Sequence, residues 1–320
     1  MLCISQDNIE QAITCQELIN AMESALKIYE ENLFTMPDRS HLDIQENTLL
    51  LMPCFTEDFF STKLVSIFPG NSEKKLPVVD GVLVLNDGQT GQPLSLINGS
   101  KLTAMRTAAV GSVGIRHLTP KNAKTLGLIG AGVQGFHQIQ FACSEREIET
   151  VYIYDKFSTH LEEYCQKLQK KLPRVTFKVV ETVESLMEYS KIIITTTTSN
   201  TPVIPNQKDL FEGKNIIAVG SFKPDMRELP DVLSETVDQI FMDTDFAAKE
   251  SGDLAIPLKN GTSKVSQLLT LGKLITGQVQ LSDNPTTFFK SVGMALFDLV
   301  AATLIYQKAK EQKLGTVVEM

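Results

Sequence analysis

The chain has no basic block. Its 38 acidic side chains outnumber 30 lysines and arginines, for a formal net charge of −8. That balance argues against nucleic acid or an anionic membrane as partner. No C-x-x-C pair occurs. The five cysteines, at 3, 15, 54, 143 and 165, are odd in number and widely spaced, which argues against a disulfide framework or a zinc site and for a reducing compartment. The four histidines, at 41, 117, 137 and 160, lack metal-ligand spacing. The most apolar stretch, VGMALFDLVAATLIY, is too short to span a bilayer and carries Asp298. The opening MLCISQDNIE shows neither the basic nor the apolar region of a secretory signal. The N-x-[ST] matches at Asn98 and Asn260 are therefore read as chance. Internal repeats and low-complexity segments are also missing. The expectation is a cytoplasmic protein without nucleic-acid, membrane or metal partners.

What is present suffices for two domains: 320 residues, 42% of them hydrophobic. Thr14 and Glu17 form a capping box ahead of Leu18, Met22, Ala25, Leu26, Tyr29 and Leu33, which recur at helical spacing. Strand-like runs follow in NTLLLMPCF, STKLVSIFP and GVLVLND, the last joined to QPLSLI through the turn GQTG. SKLTAMRTAAVGSVGIRHL is helical in composition and rich in small residues. From about residue 120 the strands TLGLIG, VYIYD, VTFKVVE, KIIITTTT, NIIAVGSF and QIFMDT are interleaved with the helices FHQIQFACSE, LEEYCQKLQKKL and VESLMEYS. Such alternation implies a parallel sheet covered on both faces. The fold class is α/β: a doubly wound Rossmann domain over residues 117–293, and a separate α+β unit from 1–116 with 294–320. The final segment, from TTFFKSVG to EQKL, reads as one long helix, too apolar to be solvated all round.

Gly130-Ala131-Gly132-Val133-Gln134-Gly135 is a G-x-G-x-x-G motif that follows a strand and opens a helix. The first glycine permits the tight turn, the second close approach of a pyrophosphate, and the third close packing of helix on strand. The helix N-terminus offers N–H groups and positive dipole to the phosphates. Asp155 ends the next strand, placed to hydrogen-bond the adenosine ribose and to repel a 2′-phosphate, so NAD is favoured over NADP. Lys156 beside it offers that phosphate a counter-charge. Thr197, Thr198, Ser199 and Gly220-Ser221 lie at strand ends, where such a ligand crosses the sheet.

Three cations of the N-terminal part stand out. Arg39 is in the loop TMPDRSHLD, Lys63 in the strand STKLVSIFP, and Arg106 in the helix LTAMRTAA. Taken singly each is an ordinary surface charge. Lys63, however, is flanked by Leu64, Val65 and Ile67, which puts its stem near the core. Arg106 is followed by Thr107, Ala108, Ala109, Gly111, Ser112 and Gly114, a face small enough for a flat ligand or another helix to approach. Converging, the three would suit an α-carboxylate.

At these motifs the chain resembles the ornithine cyclodeaminase/mu-crystallin family, from about residue 35 to about residue 305. The resemblance rests on FPGN (68–71), LNDGQTGQPLSLINGSKLTAMRTAA (85–109), LGLIGAGVQGFHQ (126–138), GSFKPDMRELP (220–230), ESGDL (250–254) and FKSVGMALFDLVAA (289–302). It implies a homodimer in which the α+β unit binds substrate and dimerises while the Rossmann domain binds NAD(P). It puts Arg39, Lys63 and Arg106 on the substrate carboxylate, with Lys63 and Arg106 as the catalytic pair. Thr107, Ser291 and Gly293 fall near the nicotinamide end. Members share a hydride transfer between nicotinamide and the α-carbon of an amino or imino acid.

True cyclodeaminases of this family carry an aspartate two residues after the glycine that ends one strand. Here that position is Phe222, which neither takes a proton nor pairs with an ammonium group. Asp225 and Glu228 are the nearby acids that could compensate. The expected activity is therefore NAD(P)H-dependent reduction of a small α-imino acid, foremost a cyclic ketimine such as Δ1-pyrroline-2-carboxylate, with Phe222 as an apolar wall. Alanine/pyruvate interconversion is a variant of it. Ornithine cyclodeamination to proline and ammonia is the alternative, and an NAD(P)H-binding protein without catalysis is a further one.

Overall fold

The computed structural model describes residues 1–37, 40–74 and 76–319. The chain begins with β1 (Leu2–Ile4), α1 (Gln6–Ala12) and α2 (Cys15–Glu30). There follow β2 (Ser40–Ile44), β3 (Asn47–Phe55), β4 (Phe59–Ile67), β5 (Val79–Asp87), β6 (Pro93–Asn98) and α3 (Gly99–Leu118). Next are β7 (Thr125–Ile129), α4 (Val133–Glu145), β8 (Thr150–Tyr154), α5 (Leu161–Lys171), β9 (Thr176–Val179), α6 (Val183–Tyr189) and β10 (Ile192–Thr195). Then come β11 (Asn215–Ala218), α7 (Asp231–Thr236), β12 (Ile240–Met242), α8 (Ala247–Glu250), α9 (Gly252–Asn260), β13 (Leu268–Thr270) and α10 (Leu271–Ile275). The chain closes with β14 (Thr287–Lys290), α11 (Ala295–Glu311) and β15 (Thr316–Val317).

Contacts divide the chain into two units, Met1–Arg106 with Met294–Met320, and Thr107–Gly293. The first crossing falls inside α3, earlier than the sequence-based boundary at 116/117, because the second half of that helix packs on residues of the second unit. A Cβ at Gly111 would fall on the Gln138 side chain, and one at Gly114 would lie 2.5 Å from the Phe289 ring. The small-residue face expected to admit a ligand or a helix is, at these positions, filled by protein. Arg146 closes the same helix. Its buried guanidinium donates to the carbonyls of Ile115, Arg116 and Thr119 at the helix's C-terminal end.

The first unit is built on a seven-stranded sheet in the order β15-β1-β6-β5-β4-β3-β2. Strands β2 to β6 pair antiparallel, so alternate residues share a face. The inner face carries Leu50, Met52, Cys54, Val65, Leu83 and Leu85, all buried, and α11 packs against β3, β4 and β5. At the start of α2 the capping box is reciprocal: the Glu17 N–H donates to Thr14 Oγ1, and the Thr14 N–H donates to the Glu17 carboxylate. Lys308 of α11 pairs with Glu17 at 3.0 Å.

The Thr14 N–H, then Lys308, hold the Glu17 carboxyl down from 4.5 to about 2. A folded-state pKa below the unfolded one contributes stability that is complete above pH 4.5 and is lost as pH falls toward 2. Glu17→Gln preserves the cap but not the charge. The stability difference between wild type and this variant, from urea unfolding, is therefore expected to shrink from about pH 6 to about pH 3. An equal difference at both would refute the charge contribution.

The second unit is an eight-stranded, all-parallel sheet in the order β13-β12-β14-β11-β10-β7-β8-β9. Ile192, Ile193, Ile194, Ile216 and Ile217 are fully buried in its centre, which explains their unbroken apolar runs. Helices cover both faces of β7: Gly127 faces Leu186 of α6, while the next residue, Leu128, faces Gly135 of α4. The strand order reverses between β7 and β10, the switch point of a Rossmann fold.

One expectation is corrected here. The C-terminal segment is not a single helix. Thr287–Lys290 is a buried strand inserted between β11 and β12, and the helix starts only at Ala295. Gly293, at φ +80, breaks the run. Strand β1 was not anticipated.

Candidate active site

The glycine turn lies at the carboxyl end of β7. Gly130 has φ +100, and a Cβ there would press on Thr196 and Thr197. Gly135 lies so near the Gly130 carbonyl that its Cβ would be 2.5 Å from that oxygen. Gly132 differs: a Cβ there would meet nothing within 4 Å. The α4 N-terminus that it caps has no side-chain hydrogen bond, and Val133 is 71% exposed. Unsatisfied first-turn N–H groups next to open space fit a pyrophosphate. The donor set thus fits a dinucleotide.

Asp155 follows β8. One oxygen accepts the Ala131 N–H at 2.8 Å, and the other accepts those of Phe157 and Ser158, each at 2.9 Å. The acid that was expected to meet a ribose also ties the glycine turn to the loop after β8. A carboxylate has about four acceptor sites, so one remains for a hydroxyl. Lys156 is exposed, 5.6 Å from the Phe157 ring centroid.

Three buried acids organise the neighbouring strand ends. Glu228 accepts the Thr195 and Thr197 hydroxyls and the N–H groups of Thr197, Gly220 and Ser221. Burial pushes its carboxyl up, with Lys290 opposing and Asp253 adding to that rise. Asp253 accepts the N–H groups of Glu228 and Leu229 and pairs with the fully buried Lys290 at 3.0 Å. Asp243 accepts Ser291 Oγ and the N–H groups of Val292 and Gly293. Ser291 and Gly293 thus sit in a turn braced by Asp243.

The remaining candidates of this unit are spread along the same edge. Gln134 is in the first turn of α4, where it and Val133 follow the glycines. The Thr107 carbonyl accepts from Gln138. Ser199 bonds the Thr201 carbonyl at the protein surface. Ser221 is fully buried, with its hydroxyl between Met226 O and Ser251 Oγ, each at 2.7 Å. It is therefore built into the loop rather than offered to a ligand. Phe222 is 36% exposed and Asp225 is exposed too. Glu228, considered above as a compensating acid, is fully buried with both oxygens engaged.

In the first unit Lys63 and Arg106 do converge, through an acid that sequence reasoning missed. Lys63 Nζ donates to Asp298 Oδ2 at 2.5 Å, and Arg106 Nε to Asp298 Oδ1 at 2.9 Å. Lys63 is 2% exposed, Arg106 6% and Asp298 0%; not only the lysine stem but its charge is buried. Burial pushes Asp298 up, but the Arg106 and Lys63 charges outweigh it and hold the carboxyl below the usual carboxylate range. Two of the cations thus share the Asp298 carboxylate. Among the described residues, the terminal nitrogens of Arg106 have no protein acceptor. A buried guanidinium whose planar fork is open on one side matches a carboxylate. Arg39 lies outside the described residues. The signal for Asp298 was a lone acid in an apolar helix. For Glu228 it was an acid in a cluster otherwise made for solvent.

These features define a dinucleotide-binding α/β protein of the Rossmann class with a buried Lys–Asp–Arg cluster. More narrowly, residues 2–313 match the ornithine cyclodeaminase/mu-crystallin family, and the chain belongs to it. A Δ1-pyrroline-2-carboxylate reductase of Bacillus cereus is 34% identical over 327 residues, covering 100% of both chains. The structure of the Thermococcus litoralis Δ1-pyrroline-2-carboxylate reductase, in complex with NADH and L-proline, superposes with a TM-score of 0.92 at 33% identity, covering 99% of this chain and 100% of that one. An archaeal alanine dehydrogenase dimer with bound NAD gives a TM-score of 0.90 at 27% identity, covering 100% and 99%. No helix among the described residues is long and apolar enough to cross a membrane.

Proposed function

We propose that the protein is an NAD(P)H-dependent reductase of the C=N bond of a small α-imino acid, with Δ1-pyrroline-2-carboxylate as its first substrate. The observation that carries this reading is the Lys63–Asp298–Arg106 cluster, two cations on one carboxylate, buried in the same chain as a dinucleotide-binding glycine turn. Arg106 binds the substrate carboxylate through its terminal nitrogens. Asp298 fixes the guanidinium plane and holds Lys63 beside it. Arg39 joins them on this reading. Burial makes these charges act at short range with little screening. Bound NAD(P)H supplies the hydride. Gly130, Gly132, Val133, Gln134 and Gly135 hold its pyrophosphate, with Thr107, Thr197, Ser199, Ser291 and Gly293 along the rest of the edge. The ring of Phe222 offers no carboxylate to ion-pair with or deprotonate an alkylammonium, which favours reduction over ornithine cyclisation. Asp155 favours NADH over NADPH, with Lys156 as the opposing charge.

Product balance tests this. Purified protein is expected to oxidise NADH stoichiometrically with Δ1-pyrroline-2-carboxylate and to leave ornithine untouched. Pyruvate with ammonia is the second pair to be measured. Proline and ammonia from ornithine without net NADH change would make the protein a cyclodeaminase. Tight NADH binding without turnover of any imine would make it a binding protein.

A homodimer is part of the proposal. On the outer face of the first unit's sheet, Leu42 pairs with Leu49, and Leu51, Leu64 and Val82 lie in register. Leu42 is 52% exposed and Val82 38%. An antiparallel sheet that is apolar on both faces needs a second cover, and a second copy supplies it. Sedimentation is expected to give twice the 35.4 kDa chain mass, and Leu42→Lys with Leu49→Lys to give monomers. A monomeric wild type would refute this.

A further inference from the structure

The loop after β11 turns back so that Glu228 comes to lie under the ends of two strands. Its Oε1 accepts the Thr197 N–H at 2.6 Å and the Thr197 hydroxyl at 2.9 Å. Its Oε2 accepts Thr195 Oγ1 at 2.9 Å, the Gly220 N–H at 2.8 Å and the Ser221 N–H at 3.3 Å. The ladder between β10 and β11 ends with the Val219 N–H on the Thr195 carbonyl, and the Thr197, Gly220 and Ser221 N–H groups beyond it would otherwise need water. The contacts do not stop there. The Glu228 N–H donates to Asp253, and Asp253 pairs with Lys290, the last residue of β14. One buried polar network therefore runs across the ends of β10, β11 and β14, which are neighbours in the sheet.

A buried acid is a costly way to join loops if stability alone were at stake, since apolar side chains of similar volume do as well or better. What an acid does that an apolar group cannot is accept several N–H groups in one fixed geometry. Thr197 among them belongs to the edge that, on the reading proposed above, lines the cofactor, and Gly220 and Ser221 are tied to it through the same carboxylate. Resting on that reading, we propose that Glu228 is a positioning residue for the bound nicotinamide dinucleotide. It acts through Thr197, Gly220 and Ser221 and not by touching the ligand.

Glu228→Gln keeps the shape but turns one acceptor into a donor facing N–H groups. Glu228→Asp keeps the charge but withdraws it by one methylene. Arg146→Ala is the comparator. It removes a buried, hydrogen-bonded guanidinium from the same unit without touching these strand ends. NADH dissociation constants are measured by fluorescence titration where each variant is fully folded. Glu228→Gln is expected to weaken NADH binding about tenfold or more, and Glu228→Asp less, while Arg146→Ala stays within about twofold of wild type despite a lowered Tm. Should Glu228→Gln not fold, Glu228→Asp carries the same comparison. Unchanged NADH affinity in the Glu228 variants, or equal weakening in Arg146→Ala, would overturn the positioning role alone. A wild type that does not bind NADH would overturn the cofactor reading and this inference with it.

Discussion

Arg106→Met is expected to lower kcat/KM for Δ1-pyrroline-2-carboxylate by about 10²–10⁴, because removing one partner from a buried charge pair costs about 3–5 kcal/mol. The loss should appear with NADH affinity unchanged, since Arg106 belongs to the first unit and the glycine turn to the second. Arg106→Lys is the sharper variant. It retains the charge, so Asp298 keeps two cationic neighbours and the fold is spared. A lysine cannot hold Asp298 through a side nitrogen while presenting a two-pronged fork to a ligand. Steady-state kinetics with saturating NADH are therefore expected to show KM for the imino acid rising about tenfold or more in Arg106→Lys. A kcat/KM within threefold of wild type for both variants would remove the carboxylate from this site.

The parts of this site that could be read from sequence are those whose signal is local. The glycine turn, its helix and Asp155 lie within one βαβ unit, where each residue's role follows from its distance along the chain. Lys63 could be suspected because apolar neighbours in a strand bury whatever lies between them. Asp298 could not be assigned, for it meets Lys63 across 235 residues of sequence, and hydropathy shows such an acid only as a blemish in a helix. Glu228 appeared as one charge among several beside Pro224. Only the return of the loop separates it, buried, from Asp225, exposed. Strand β14 was absorbed into the helix that follows because Phe288 and Phe289 suit either element. Its place between β11 and β12 depends on pairing that local pattern does not encode.

Gly220→Ala is expected to be the most damaging single methyl group in the second unit. Gly220 is not held by a left-handed φ; it is held by space. A Cβ there would fall on the Thr197 carbonyl oxygen, on Glu228 Oε1, and 2.5 Å from the Thr197 nitrogen. Two of those atoms are backbone, and the third is a carboxylate oxygen fixed by Thr197 itself, so nothing can yield cheaply. Overpacking of this kind costs about 3 kcal/mol or more, which corresponds to a Tm lowered by roughly 6–12 °C for a unit of this size. NADH binding should weaken with it, because the same methyl group forces apart the ends of β10 and β11. Gly132→Ala separates the two effects. Its Cβ meets no protein atom within 4 Å, so Tm is expected to stay within about 1 °C. NADH affinity should nonetheless fall, because the methyl group occupies the space through which a pyrophosphate reaches the α4 N-terminus. Calorimetry paired with NADH titration checks both. A Gly132→Ala protein with wild-type affinity would mean that the phosphates do not lie on this turn, and a Gly220→Ala protein of wild-type Tm would mean that the two strand ends are not joined as described.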